Sequence, residues 1–138
     1  MSTGIGWRLA GLSTGIEPAA VRRTGMVQDD RIERMIEVHV NFASDEEARG
    51  IARQAVERRL AACANLGAPI HSIFWWQGAV QAEDEVAVVF KTSEARRDDL
   101  VRFIAGNHSY DVPSIVVHRP AGVNEPYAAW VAKETTPR

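Results

Sequence analysis

The side chains best able to bind or transfer something are few and scattered along this sequence: Cys63, His39, His71, His108, His118, and the carboxylate Asp111 close to Tyr110. Cys63 as a thiolate is a soft ligand suited to copper; equally, it is a small residue following a helix, where free cysteine is commonly buried. His71 is an imidazole ligand or a polar residue on a partly exposed strand face. Cys63 and His71 cannot readily share an ion within one chain. Eight residues of straight strand hold them roughly 26 Å apart, so a break near Gly67 and Pro69 or a neighbouring subunit is needed to join them. His108, Tyr110 and Asp111 cluster in one loop. A histidine with a carboxylate suits metal binding or acid–base chemistry, or a connection whose side chains hydrogen-bond to backbone. His39 and His118 fall on strands expected to be neighbours; a shared orientation does not follow from that alone, and they are read as structural. The metal candidates are therefore His108, Asp111, Cys63 and His71. No catalytic residue and no organic-cofactor site stands out, and no Walker-type or dinucleotide-binding glycine motif is present.

The elements that must position these residues follow from periodicity. Met35 to Phe42 alternates, with Ile36, Val38, Val40 and Phe42 apolar, as a half-buried strand does. Ser44 with Glu47 forms a capping-box pattern before a helix whose stripe is Ala48, Ile51, Ala52, Ala55, Val56 and Leu60, with Arg58 and Arg59 in its last turn. Cys63 to Trp76 reads as a strand with a bulge or edge position near Pro69. Gln77-Gly78 signals a turn, and Glu85 to Thr92 is the returning strand. A helix from Ser93 to Ala105 carries Leu100, Phe103 and Ile104. Val112 to His118 is a fourth strand, and Pro126 opens a last helix with Tyr127, Trp130 and Val131. The order is βαββαβ with a C-terminal helix: an α+β fold with a split-βαβ antiparallel sheet and its helices on one face. Trp75 and Trp76 point to opposite faces of their strand; one is expected to pack inside and the other to meet an interface.

The chain has 138 residues, 46% of them hydrophobic, enough for one domain with a core of its own. Residues 35–138 are expected to form that domain, and the aperiodic stretch 1–34 a flexible tail. Net charge is −2, which argues against nucleic acid or an anionic membrane surface as a partner. No apolar run approaches the roughly 20 residues of a membrane span. A single cysteine forms no disulfide within the chain, consistent with a reducing, cytoplasmic location.

Five blocks in order resemble a known family. They are Arg59-Leu-Ala-Ala-Cys63-Ala-Asn65, Ser72-Ile-Phe-Trp75-Trp76-Gln77-Gly78, Glu85-Val86 through Lys91-Thr92, His108-Ser-Tyr110-Asp111-Val-Pro113, and Asn124-Glu-Pro-Tyr127-Ala-Ala-Trp130. Together they are similar to the CutA divalent-cation-tolerance family. The resemblance implies a ferredoxin-like fold, a homotrimer and an association with tolerance of copper and other divalent cations, with Cu2+ or another divalent transition metal as ligand and no organic cofactor. It implies no known reaction. Ser109 departs from the family pattern, which usually has proline there, and implies a less rigid loop. The alternative is a trimeric small-ligand or nucleotide-sensing regulator resembling the PII signalling proteins. Those have a long loop between the middle strands, where this chain has a short one. Acylphosphatase-like catalysis uses the same element order but needs an anion cradle after the first strand, where this chain has acids.

Overall fold

Apolar–polar alternation in the two central strands decides the architecture, because it leaves each of them one face to bury. The computed structural model describes residues 35–137 and the backbone of Met26–Val27. The elements are β1 (Met26–Val27), β2 (Met35–Phe42), α1 (Asp45–Glu57), β3 (Cys63–Trp76), β4 (Ala79–Ser93), a 3-10 turn (Glu94–Arg96), α2 (Arg97–Asn107), β5 (Ile115–His118), β6 (Val123–Asn124) and α3 (Glu125–Glu134). Four strands pair antiparallel in the order β3-β4-β2-β5. With one helix after β2 and another before β5, that order is the ferredoxin-like arrangement. β1 pairs with β6 in a separate two-stranded ribbon. Within the expected tail, residues 1–25 and 28–34 lie outside the described residues.

Ile36, Val38, Val40 and Phe42 of β2 and Val86, Val88 and Phe90 of β4 pack in one core with Ala48, Ile51, Ala52 and Ala55 of α1 and Leu100 and Ile104 of α2. Small residues on α1 let it approach the sheet closely. A second, smaller cluster joins Met35, Ala62 and Val131 and seats α3 at the end of the sheet. Arg59 locks that helix in place: its guanidinium donates to the Glu134 carbonyl at 3.1 Å and to the Glu134 carboxylate at 3.0 Å.

Several boundaries differ from the sequence reading. The hairpin is longer: β3 and β4 pair all the way to Trp76–Ala79, and only Gln77 and Gly78 turn the chain. Both have positive φ (53° and 80°), as in a type I′ hairpin, whose twist matches that of the strands. The break near Pro69 is present as a register shift between Leu66 and Pro69, on an edge strand. The fourth strand begins at Ile115, not Val112. Arg58 and Arg59 fall just beyond α1, with Arg59 at φ 60°. Only half of the capping box forms. Ser44 Oγ accepts the Glu47 N–H at 3.1 Å, while the Glu47 carboxylate binds elsewhere. Neither tryptophan packs inside: Trp75 is 74% exposed and Trp76 42%, because the hairpin tip extends beyond the helices that cover the sheet.

Phe90 is fully buried at the centre of the core. Phe90→Ala is expected to lower the unfolding free energy by about 3–5 kcal/mol, read from denaturant midpoints at unchanged slope. A loss below about 1 kcal/mol would place the core elsewhere.

Candidate functional site

The α2–β5 connection is tied down by hydrogen bonds from three successive residues to β2, α1 and β4. His108 caps α2 and lies buried, stacked on Phe42 with ring centroids 4.7 Å apart. Its Nε2–H donates to the Asn41 carbonyl of β2 at 2.8 Å, and its Nδ1 accepts the Tyr110 N–H at 3.0 Å. Those partners define the neutral Nε2–H tautomer. Ser109 donates its N–H (2.8 Å) and its hydroxyl (2.9 Å) to the two oxygens of Glu47, in the first turn of α1. A proline at this position has no N–H to give, so the loop expected to be less rigid is instead held by a carboxylate. Tyr110 donates its hydroxyl to Glu85 of β4 at 2.9 Å.

Those contacts build one wall of an open cleft of about 520 Å3 between the loop and the β3–β4 hairpin. Phe74 and Trp76 line the opposite side, and the carboxylates of Glu83, Asp84, Glu85 and Asp111 border it. Glu85 is only 8% exposed, so the Tyr110 hydrogen bond satisfies a carboxylate that would otherwise be costly to bury. The Tyr110 phenol is pushed up to about 12, first by burial, then by its bond to Glu85 and by the charges of Glu85, Glu83 and Glu47. The cleft has the sign to attract cations. Among the residues that line it there is no nucleophile–base couple and no basic group to hold a phosphate.

The four metal candidates are not gathered. Asp111 borders the cleft, whereas both nitrogens of His108 are engaged with backbone. Cys63 and His71 lie on β3 on either side of its register shift. Cys63, half-buried rather than enclosed, has its Sγ 3.4 Å from the Tyr127 hydroxyl. That phenol is raised by burial first and by the Cys63 hydrogen bond next. His71 is exposed, with Nδ1 2.7 Å from Asp84 Oδ1 across the hairpin. Among the described residues no three His, Cys, Asp or Glu side chains gather as a metal site. The strand histidines read as structural are the ones brought together: the His39 and His118 rings lie 4.1 Å apart, and His39 Nε2 is 3.0 Å from Glu37 Oε1. Their matching phase in two strands was the available signal; the β2–β5 register that makes them neighbours was not.

Residues 36–134 match the family described as CutA1 divalent ion tolerance protein. The chain is 34% identical over 100 residues to "Protein CutA 1, chloroplastic" of Oryza sativa subsp. japonica, a match covering 72% of this chain and 56% of the rice protein. It is 36% identical over 101 residues to the divalent-cation tolerance protein CutA of Pyrococcus horikoshii, covering 73% of this chain and 98% of that one. The solved divalent cation tolerance protein (Cut A1) of Thermus thermophilus superposes with a TM-score of 0.71 at 35% identity, over 74% of this chain and 99% of its own. The chain thus spans about half the length of the plant relative and nearly all of the archaeal and bacterial ones. These likenesses lend no support to a PII-type regulator.

Folding raises the Tyr110 pKa above the ordinary tyrosine value of about 10 and so favours the neutral phenol. Its contribution to stability is complete below about pH 10 and is lost as pH rises through about 12. The chain has two tyrosines, so Tyr127→Phe leaves Tyr110 alone in an absorbance titration of phenolate. A midpoint near 12 is expected; one near the ordinary value of about 10 would mean that Tyr110 is neither buried in the cleft wall nor bonded to Glu85.

Proposed function

The chain belongs to the CutA1 divalent ion tolerance family, and we propose that it acts as a cytoplasmic homotrimer that binds a divalent transition metal weakly, Cu2+ foremost, and catalyses no reaction. The observation that carries this reading is the bare apolar side of the β3–β4 hairpin. Ile73, Trp75 and Val80 are all well exposed in the single chain. Odd-numbered β3 residues share a side, and Val80 lies opposite Trp75, so the three form one continuous patch. Such a patch at a hairpin tip favours burial against another subunit, and both outer strands of the sheet gain from being covered. A closed ring of three copies uses this surface without leaving a free end.

The same side of the hairpin ends in the His71–Asp84 couple. Docking of the patch would set that couple beside a neighbouring subunit, which is where a chain without a three-ligand group among its described residues would complete a site. Imidazole and thiolate prefer copper to a hard cation such as Mg2+. The donors in this reading are His71, then Cys63 and Asp111; His108 joins only by releasing its backbone bonds. The acidic border of the cleft raises the local cation concentration. Nucleic acid, membrane surfaces and organic cofactors have no part in it.

Light scattering at micromolar concentration is expected to give the mass of three chains, and Trp75→Glu to shift it toward the monomer. A monomeric wild type would overturn the assembly. In calorimetry the wild type is expected to bind Cu2+ and not Mg2+, with weaker binding in His71→Ala and Cys63→Ser. Equal binding of the two cations would overturn the soft-donor argument.

A further inference from the structure

We propose that the cleft between the α2–β5 connection and the β3–β4 hairpin binds a small aliphatic di- or polyamine, its ammonium groups held by Glu85 and Glu83 and its alkyl chain laid against Trp76 and Phe74. The site is separate from the metal reading above, because none of these side chains is among its donors. The decisive group is Glu85. It is 8% exposed, and the Tyr110 hydroxyl occupies its Oε2 at 2.9 Å. Among the described residues nothing donates to Oε1, and no Lys, Arg or His pairs with the carboxylate. A neutral phenol satisfies part of a buried carboxylate but leaves its charge without a counter-charge, which is costly away from water. Glu85 lines the cleft, so a cation that enters there supplies the missing charge.

The register of the hairpin arranges the rest. Ser72, Phe74 and Trp76 alternate along β3, so they share one side. Glu83 stands opposite Ser72 and Gln81 opposite Phe74, and Glu85 follows two residues on in β4. One wall of the cleft is therefore an aromatic row on one strand beside an acidic row on the next. Glu83 and Glu85 stand roughly 7 Å apart along their strand, a spacing that a short alkyl diamine spans. Gln81 fixes the far end of this wall by donating its amide N–H to the Trp76 carbonyl at 3.0 Å. No Lys or Arg lines the cleft. Asp84 is taken by His71 at 2.7 Å, whereas Glu83 has no ion-pair partner among the described residues. A metal ion uses only part of such a wall. At about 520 Å3 the cleft has the size of a small-molecule site rather than of an ion. Mg2+ dehydrates reluctantly and so makes no direct contact with an aromatic ring. An ammonium group is drawn to the face of Trp or Phe as well as to a carboxylate, and the methylene chain between two such groups covers apolar surface as the stem of a lysine does. The patch of Ile73, Trp75 and Val80 is on the opposite side of the ribbon, so the assembly proposed above and this ligand use different sides of it.

The test is calorimetric titration of the full chain with spermidine, with tryptophan fluorescence as a second readout. The wild type is expected to bind and to change its fluorescence, because Trp76 is in the site. Glu85→Gln keeps an acceptor for Tyr110 and removes the charge; it is expected to weaken binding about tenfold or more, and Glu83→Gln to weaken it less. Trp76→Leu is expected to weaken binding about threefold and to remove the fluorescence change. Glu57→Gln, an acid-to-amide change on the exposed side of α1, is expected to bind as the wild type does. An equal concentration of Mg2+ is expected not to displace spermidine. A wild type that does not bind spermidine would overturn the site. So would unchanged affinity in both Glu83→Gln and Trp76→Leu, whose side chains lie on the surface and not in the core. Displacement by an equal concentration of Mg2+ would mean an acidic surface acting through charge alone and would overturn the site too. None of these results bears on copper binding, which its own titration tests.

Discussion

One-sided burial of the central strands governs this molecule. β2 and β4 each send alternate residues under α1 and α2, and the same alternation sends the intervening residues to the other face, where α3 covers one end. A slip of one residue in either strand would exchange Val38 for His39, or Phe90 for Lys91, across the sheet. The cost of burying an imidazole or an ammonium where an apolar side chain belongs makes that slip inaccessible. The polar residues of the second face are thus placed by the same force that forms the core on the first.

The α2–β5 connection depends on that register too. His108 reaches the Asn41 carbonyl, and Tyr110 reaches Glu85; both partners belong to the central strands, so the loop reads their positions directly. Glu47 completes the attachment from α1. A loop carrying two aromatic rings and a buried carboxylate contact is a stiff wall, and the cleft it borders is shaped by the sheet more than by the loop's own sequence. Ser109 gives its N–H and its hydroxyl to one charged acceptor, Glu47, the stronger kind of hydrogen bond, and so fixes the loop where a proline would have no N–H to give.

The far end of the hairpin is under a different constraint. Beyond the bulge at Leu66–Pro69 the two strands run past the reach of both helices, and their side chains have no core to enter. A two-stranded ribbon is marginal by itself in water. Its apolar side, with Ile73, Trp75 and Val80, is where the single chain leaves hydrophobic area unburied. The other side, with Phe74 and Trp76, is partly occupied in forming the cleft.

Local sequence by itself determined the order of the four sheet strands and three helices, though not the short β1–β6 ribbon, and with it the α+β class, the N-cap at Ser44, the tight turn at Gln77-Gly78 and the bulge near Pro69. Each of these depends on residues within a few positions of one another, through periodicity, capping or a missing donor. The resemblance to the CutA family rested on ordered short blocks of the same local kind. What depended on contacts between residues far apart in the chain was decided only by the tertiary structure. Glu47 was legible as half of a capping box, but whether it turns back to Ser44 or out to Ser109 depends on a loop far along the chain. His108 and Asp111 are neighbours in sequence, yet one side chain is held by the β2 backbone and the other borders the cleft. His39 and His118 are far apart in sequence and become neighbours through the β2–β5 register. Strand alternation assigns each histidine a face, but only the hydrogen-bonded pairing of the strands decides which residues on that face meet, and that pairing is a property of the whole sheet.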